Sequence, residues 1–303
     1  MSPTWTFSLL AASALAGAAP AGAHPARGIA VGSDGRVYFS DLERVWEIGR
    51  EGRLRLLREH RGVHTHALAI DRGGNLVGED SAYDAASGTY RETLWQMTPD
   101  RRYRVLFGPG AARRGVGLLG DARGCRYHAD QTGRGAGADA GRPLLFRKCP
   151  NRAAERLVGS AADDRAFRPV LVNDVAGVAW GPRGSFWFRQ GGVVSAVAPN
   201  GEVRVAARAL TAENFGIAVD RSGTLYVAEG AKRRILAVKP GGERRVAATS
   251  TAPWSPTGVA TTTGALYVLE ATDYRRGTPL RMRVRRIAPG NARILAMVTI
   301  PPE

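Results

Sequence analysis

The chain has 303 residues, 44% of them hydrophobic, and a formal net charge of +16, enough apolar material for one large core and one domain. Lysine occurs only at positions 148, 232 and 239, and arginine is spread over the whole length. An arginine excess spread so evenly reads as a composition bias that keeps a protein soluble, and with no RNP-like motif or recognition helix beside it, nucleic acid is not expected as a partner.

Residues 1–23 have the form of a signal peptide. The apolar run 7–19 is too short to span a bilayer, and Ala21-Gly22-Ala23 fits a small-residue cleavage site. Cleavage there starts the mature chain at His24 and places it in a secreted or periplasmic compartment, with 24–303 as a single domain. The n-region has no Lys or Arg, which leaves an uncleaved anchor as the alternative. No later stretch is long and apolar enough to cross a membrane.

From residue 28 onward one pattern recurs: a short apolar run, a turn with Asp and Gly, and a second apolar run, the signature of a β-hairpin. Aligned on the turn glycine, the copies begin at Gly28, Ala67, Gly117, Gly177, Gly216 and Gly258, a spacing typical of propeller blades. Each is followed by a second hairpin with a Pro/Gly/Asn-rich turn, such as Pro199-Asn200-Gly201 or Pro240-Gly241-Gly242. Four strands in each of six repeats predict an all-β chain, a six-bladed β-propeller of four-stranded blades. The innermost strands are expected near 28–32, 67–71, 117–120, 177–180, 216–220 and 258–261. Their Gly and Ala content suits strands that crowd around one axis. No spare N-terminal strand completes the last blade, so the ring is expected to close by packing of blade one on blade six.

Blade three holds both cysteines, Cys125 and Cys149, across the Gly/Ala/Asp-rich insertion 131–142. Antiparallel pairing of the flanking strands brings them nearly opposite, and in an exported chain a disulfide is expected, with a free buried pair as the alternative. The segment 160–172 links blades three and four. Local runs such as Arg101-Arg102, Arg113-Arg114 and 281–286 can meet an anionic cell-surface polymer.

The stretch Phe215-Gly-Ile-Ala-Val-Asp-Arg-Ser-Gly-Thr-Leu-Tyr-Val-Ala-Glu229, followed by Arg234-Ile-Leu-Ala-Val-Lys-Pro-Gly-Gly242, resembles NHL repeats. The layout is similar to the SMP-30/gluconolactonase group of six-bladed propellers. The resemblance implies the fold; for function it allows lactonases, lyases and binding platforms. In that group a Glu, an Asn and an Asp from separate blades hold a divalent ion, but here the entry to blade one is Pro25-Ala26-Arg27, with no Glu.

Propeller topology gathers residues just before each first strand and just after each second strand at one mouth of the channel. Six past each turn glycine stand Asp41, Asp80, Asp130, Gln190, Glu229 and Glu270. The carboxylates of such a ring can collect a cation, or each can serve its own blade. Across the hairpins Arg27 faces Asp41, Asn214 faces Glu229, and His66 lies near Glu79 and Asp80. The ligand-binding candidates are therefore His64, His66, Asp80, Asn173, Asp174, Glu213, Asn214 and Glu229. Oxygen ligands of this mixture suit calcium better than zinc, although His64 and His66, two apart, can share a face. Asp34, Asp71, Asp121 and Asp220, in the first turns, belong to the opposite face as turn formers. There is no Gly-x-Ser-x-Gly, His-Glu-x-x-His or phosphate-cradling glycine loop. Two readings follow: a propeller that binds a small molecule, peptide or glycan at the mouth, or a divalent-metal-dependent lactone or ester hydrolase. A third reading, a lyase similar to the amidating lyases that hold zinc by histidine, is opposed by the five histidines, of which only two stand close together.

Overall fold

The period-two alternation and the Asp/Gly turns fold as hairpins throughout. The computed structural model describes residues 25–71, 73–111, 116–120, 126–130, 144–148, 152–158, 175–190, 192–198, 202–210, 214–273 and 277–302. The first sheet contains β1 (Ile29–Val31), β2 (Val37–Ser40), β3 (Arg44–Ile48) and β4 (Leu54–Glu59), and the second β5 (Val63–Ile70), β6 (Leu76–Asp84), β7 (Thr89–Met97) and β8 (Tyr103–Ala111). The third has β9 (Val116–Gly120), β10 (Arg126–Asp130), β11 (Leu144–Lys148) and β12 (Ala154–Val158). The fourth has β13 (Val175–Trp180), β14 (Phe186–Gln190), β15 (Val193–Val197) and β16 (Val203–Ala207). The fifth follows with β17 (Asn214–Val219), β18 (Leu225–Glu229), β19 (Arg234–Val238) and β20 (Arg244–Thr249). The last has β21 (Trp254–Thr262), β22 (Ala265–Thr272), β23 (Leu280–Ala288) and β24 (Asn291–Ile300). Within each sheet the strands lie antiparallel in chain order.

These sheets make an all-β propeller of four-stranded antiparallel blades. Five of them pack side chain on side chain in sequence: fourth on fifth, fifth on last, last on first, first on second. Of the third sheet only the backbone pairing is described, with β9 beside β5, β6 and β13. Along β2, β6 and β22 alternate side chains face opposite neighbours, as the pleat requires. Tyr38 packs toward the second blade and Phe39 toward the last.

Among the described residues the first and last sheets share no strand. Their seam is a continuous apolar layer in which Ile29, Val37 and Phe39 meet Tyr267, Leu269 and Met282, the closure by packing that the strand count implies.

Crowding at the axis explains the inner glycines. A Cβ on Gly216 would lie 3.1 Å from Gly258 Cα, and one on Gly258 would run into the Arg27 carbonyl oxygen. The inner strands differ from expectation at their starts: β5 begins at Val63 and β21 at Trp254, because residues ahead of the glycine continue the pairing past a bulge. The turn aspartates Asp34, Asp71 and Asp220 accept backbone N–H groups of their own turns, while Asp121 lies outside the described residues. The leader, both cysteines and the segments 131–142 and 160–172 also lie outside them. Among the described residues no helix is long and apolar enough to cross a membrane.

Candidate functional site

The strand-two carboxylates at the mouth are buried and committed to structure. Asp41, 2% exposed, accepts from Trp46 Nε1 and the Arg44 backbone N–H, both at 2.9 Å; burial still raises its pKa above the ordinary value. Asp80, also 2% exposed, accepts from Thr65 Oγ1 and Trp95 Nε1 at 2.8 Å, and pairs at 2.6 Å with Arg58 of the preceding blade. Glu229 is held by Arg234 at 2.6 Å. Glu270 accepts from Ser250 of the preceding blade and pairs with Arg283 and Arg285. A buried carboxylate demands such partners. Asp80 and Glu270 therefore tie their blades to the preceding ones, Asp41 and Glu229 are held by partners of their own blades, and the expected pairing of Asp41 with Arg27 gives way to Arg44 and Trp46.

One step earlier on strand two the side chain faces the following blade. That position holds Ser40, Glu79, Arg189, Ala228 and Leu269 in the five blades whose cores are described. In the last blade the lining is apolar, with Leu269, Ala271 and Met282 at most 1% exposed. In the second blade the same places are Glu79, Ser81 and Glu92, since Ser81 pairs with Glu92 as Ala271 pairs with Met282. His64 pairs with Ser81, so His64, Ser81 and Glu92 form a row across β5, β6 and β7 on one face. His66 sits in the bulge between the pairs Thr65 to Asp80 and Ala67 to Glu79, its ring 5.8 Å from that of His64 and edge-on to it.

Glu79 is pushed up to about 8, first by burial, then by the charge of Glu92, with Arg27 acting against the rise and Asp80 adding to it. It therefore carries its proton at neutral pH and can donate a hydrogen bond. An acid that donates beside one that accepts is an arrangement that binds hydroxyl and carbonyl groups or moves a proton between them.

Of the sequence candidates, His64 and His66 come together here. Asp80 is adjacent but faces the first blade. Glu229 belongs to the fifth blade, where its backbone pairs with Asn214; the Asn214 side chain and residues Asn173, Asp174 and Glu213 lie outside the described residues, as do the Asp130 and Gln190 side chains. Sequence reasoning passed over Glu92, Ser81 and the role of Arg27. Counting five past the turn glycine, instead of six, exposes Glu79 and Arg189 as charges where other copies are small or apolar. Among the described residues no three His, Cys, Asp or Glu side chains converge to hold a metal ion.

No protein-family model matches the chain. No curated protein matches it in sequence. Solved structures match in fold. A gluconolactonase from Xanthomonas campestris is 17% identical with a TM-score of 0.56, over 80% of this chain and 83% of that one. Virginiamycin B lyase from Staphylococcus aureus is 13% identical with a TM-score of 0.52, over 91% and 84%. The calcium-binding protein regucalcin from Agrobacterium tumefaciens is 14% identical with a TM-score of 0.51, over 80% and 81%. At these identities the likeness is one of fold, and the chain is similar to gluconolactonase-type and streptogramin-lyase propellers in architecture.

Proposed function

We propose that this chain is an exported propeller, six-bladed when the sheet β9–β12 is counted as a blade, that binds a small hydroxyl-rich molecule such as a sugar unit at the mouth beside the second blade. The observation that carries this reading is the polar row His64, Ser81 and Glu92, with Glu79 and Arg27 beside it, where the last blade has an apolar lining. The set combines donors and acceptors, as recognition of hydroxyl groups requires. Calorimetric titration with a panel of monosaccharides and aldonolactones tests it. Saturable binding that weakens at least about tenfold in the variant Glu79→Gln/Glu92→Gln is expected, from the loss of charge-assisted hydrogen bonds. Equal binding by that variant overturns the assignment.

A second reading is favoured by one observation: Glu79, protonated at neutral pH, stands in the field of Glu92, a division of labour suited to opening a lactone or ester. The gluconolactonase fold is consistent with it. Any divalent ion would draw on Asn173, Asp174 and Glu213, so metal analysis of the purified protein and lactone hydrolysis with and without calcium separate the two. We also propose that Cys125 and Cys149 are bonded: Arg126 pairs with Lys148, and the cysteines flank that pair in sequence. Thiol titration of the unreduced, denatured protein checks it.

A further inference from the structure

On the opposite face of the ring, between the first two blades, Glu47 is buried at 3% exposure across from Tyr38. Three guanidiniums approach it: Arg55 at 3.3 Å, Arg101 at 3.7 Å and Arg36 at 4.0 Å. Arg36 also meets Asp34 at 3.3 Å and bonds the Tyr38 hydroxyl. Three cations thus share two carboxylates, and the three side chains remain 36 to 51% exposed. A guanidinium has five N–H donors in a rigid fork, so donors remain on the solvent side after Glu47 has been served.

Arg101 adds a second kind of evidence. It occupies the turn position at which the first and fifth blades carry Gly52 and Gly242, with φ of 80° and 87°, and its own φ is 68°. A left-handed residue with a side chain costs about 1 kcal/mol or more relative to glycine. Turn closure alone is served by glycine; Arg101 instead aims a guanidinium across the blade boundary. The crevice there, bounded by Tyr38, Leu76 and Met97, has a volume of ≈ 10 Å³, room for one water. A ligand is therefore met at the rim by charge and not enclosed.

We propose that Arg36, Arg55 and Arg101, held in place from beneath by Glu47, form a binding site for a phosphate group at the seam of the first two blades. Phosphate presents several oxygens to parallel N–H donors, which suits guanidinium forks better than chloride does, and the net charge of +16 draws anions toward the surface. The group can be free or borne on a polymer, and the test separates these sources.

Inorganic phosphate and long-chain polyphosphate are titrated separately into the full chain, with the melting midpoint and calorimetric heat as readouts and sodium chloride at matched ionic strength as the control. Saturable binding of inorganic phosphate beyond the chloride effect is expected, about tenfold weaker in Arg101→Gly, which restores the turn glycine. Arg55→Ala, which leaves the turn untouched, is expected to weaken it similarly. Tighter binding of polyphosphate, lost in the same variants, identifies a polymer-borne group, and equal affinity per phosphate identifies the free anion. A phosphate response no larger than that of chloride, or undiminished affinity in both variants, overturns the proposal.

Discussion

A single step along the second strand of a blade separates two kinds of carboxylate. Asp80 faces the first blade and meets Arg58, Thr65 and Trp95; Glu79 faces the other way, with burial and Glu92 acting on it. The unfolded chain releases the Glu79 proton near its ordinary 4.5, whereas the folded chain holds it to about 8. Below the first value both states are protonated and the residue contributes no pH dependence. Between the two, the folded state binds the extra proton, so stability falls with rising pH by up to about 1.4 kcal/mol per unit. Urea unfolding at pH 5, 6.5 and 8 should show this slope in the wild type and a shallower one in Glu79→Gln; parallel curves would count against a half-buried Glu79 that holds its proton. Only half of the residues in this candidate site were legible in the sequence. His64 and His66 were singled out because they stand two apart at a strand start, where both side chains can share a face. Glu92 was not, because its place opposite Ser81 depends on the pairing of β6 with β7, which periodicity alone does not supply.

At the level of the element, the repeat was legible because turn chemistry is local: Asp220 accepts the N–H groups of Ser222 and Thr224, and those residue types announce it. Strand ends were less so. β6 and β7 extend to Asp84 and Thr89, where Asp84 accepts from Ala86, Ser87 and Arg91 and Tyr83 stacks edge-on against Tyr90 at 5.3 Å; tertiary cross-strand contacts, absent from the repeat pattern, prolong this hairpin. Inner-strand glycines are the elements' fixed points. Because its Cβ would meet backbone at Arg27, Gly258→Ala should destabilise the chain by about 1–3 kcal/mol, measured by urea unfolding. Gly241→Ala, with open space around it, should change stability by less than about 0.5 kcal/mol.

Across the whole molecule, arginine is more than a solubilising excess. Arg58 reaches from the first blade to Asp80 of the second, Arg101 from the second to Glu47 of the first, Arg233 from the fifth to Asp273 of the last, and Arg285 from the last to the Thr249 carbonyl of the fifth. Composition could count these residues but not assign them, since each pairing joins separate repeats. The seam between first and last sheets, where no strand is shared among the described residues, has a further consequence. There β24 is followed around the ring by β1 as β4 is followed by β5, an outermost strand by the innermost strand of the next sheet, and β4 is joined to β5 by the three residues His60, Arg61 and Gly62. The order in which the blades are read is therefore interchangeable. A circular permutant in which a short linker joins Ile300 to Pro25, with new ends opened at Arg61, should fold to the same far-ultraviolet circular dichroism spectrum and melt cooperatively; a molten product would mean that this seam differs in kind from its neighbours.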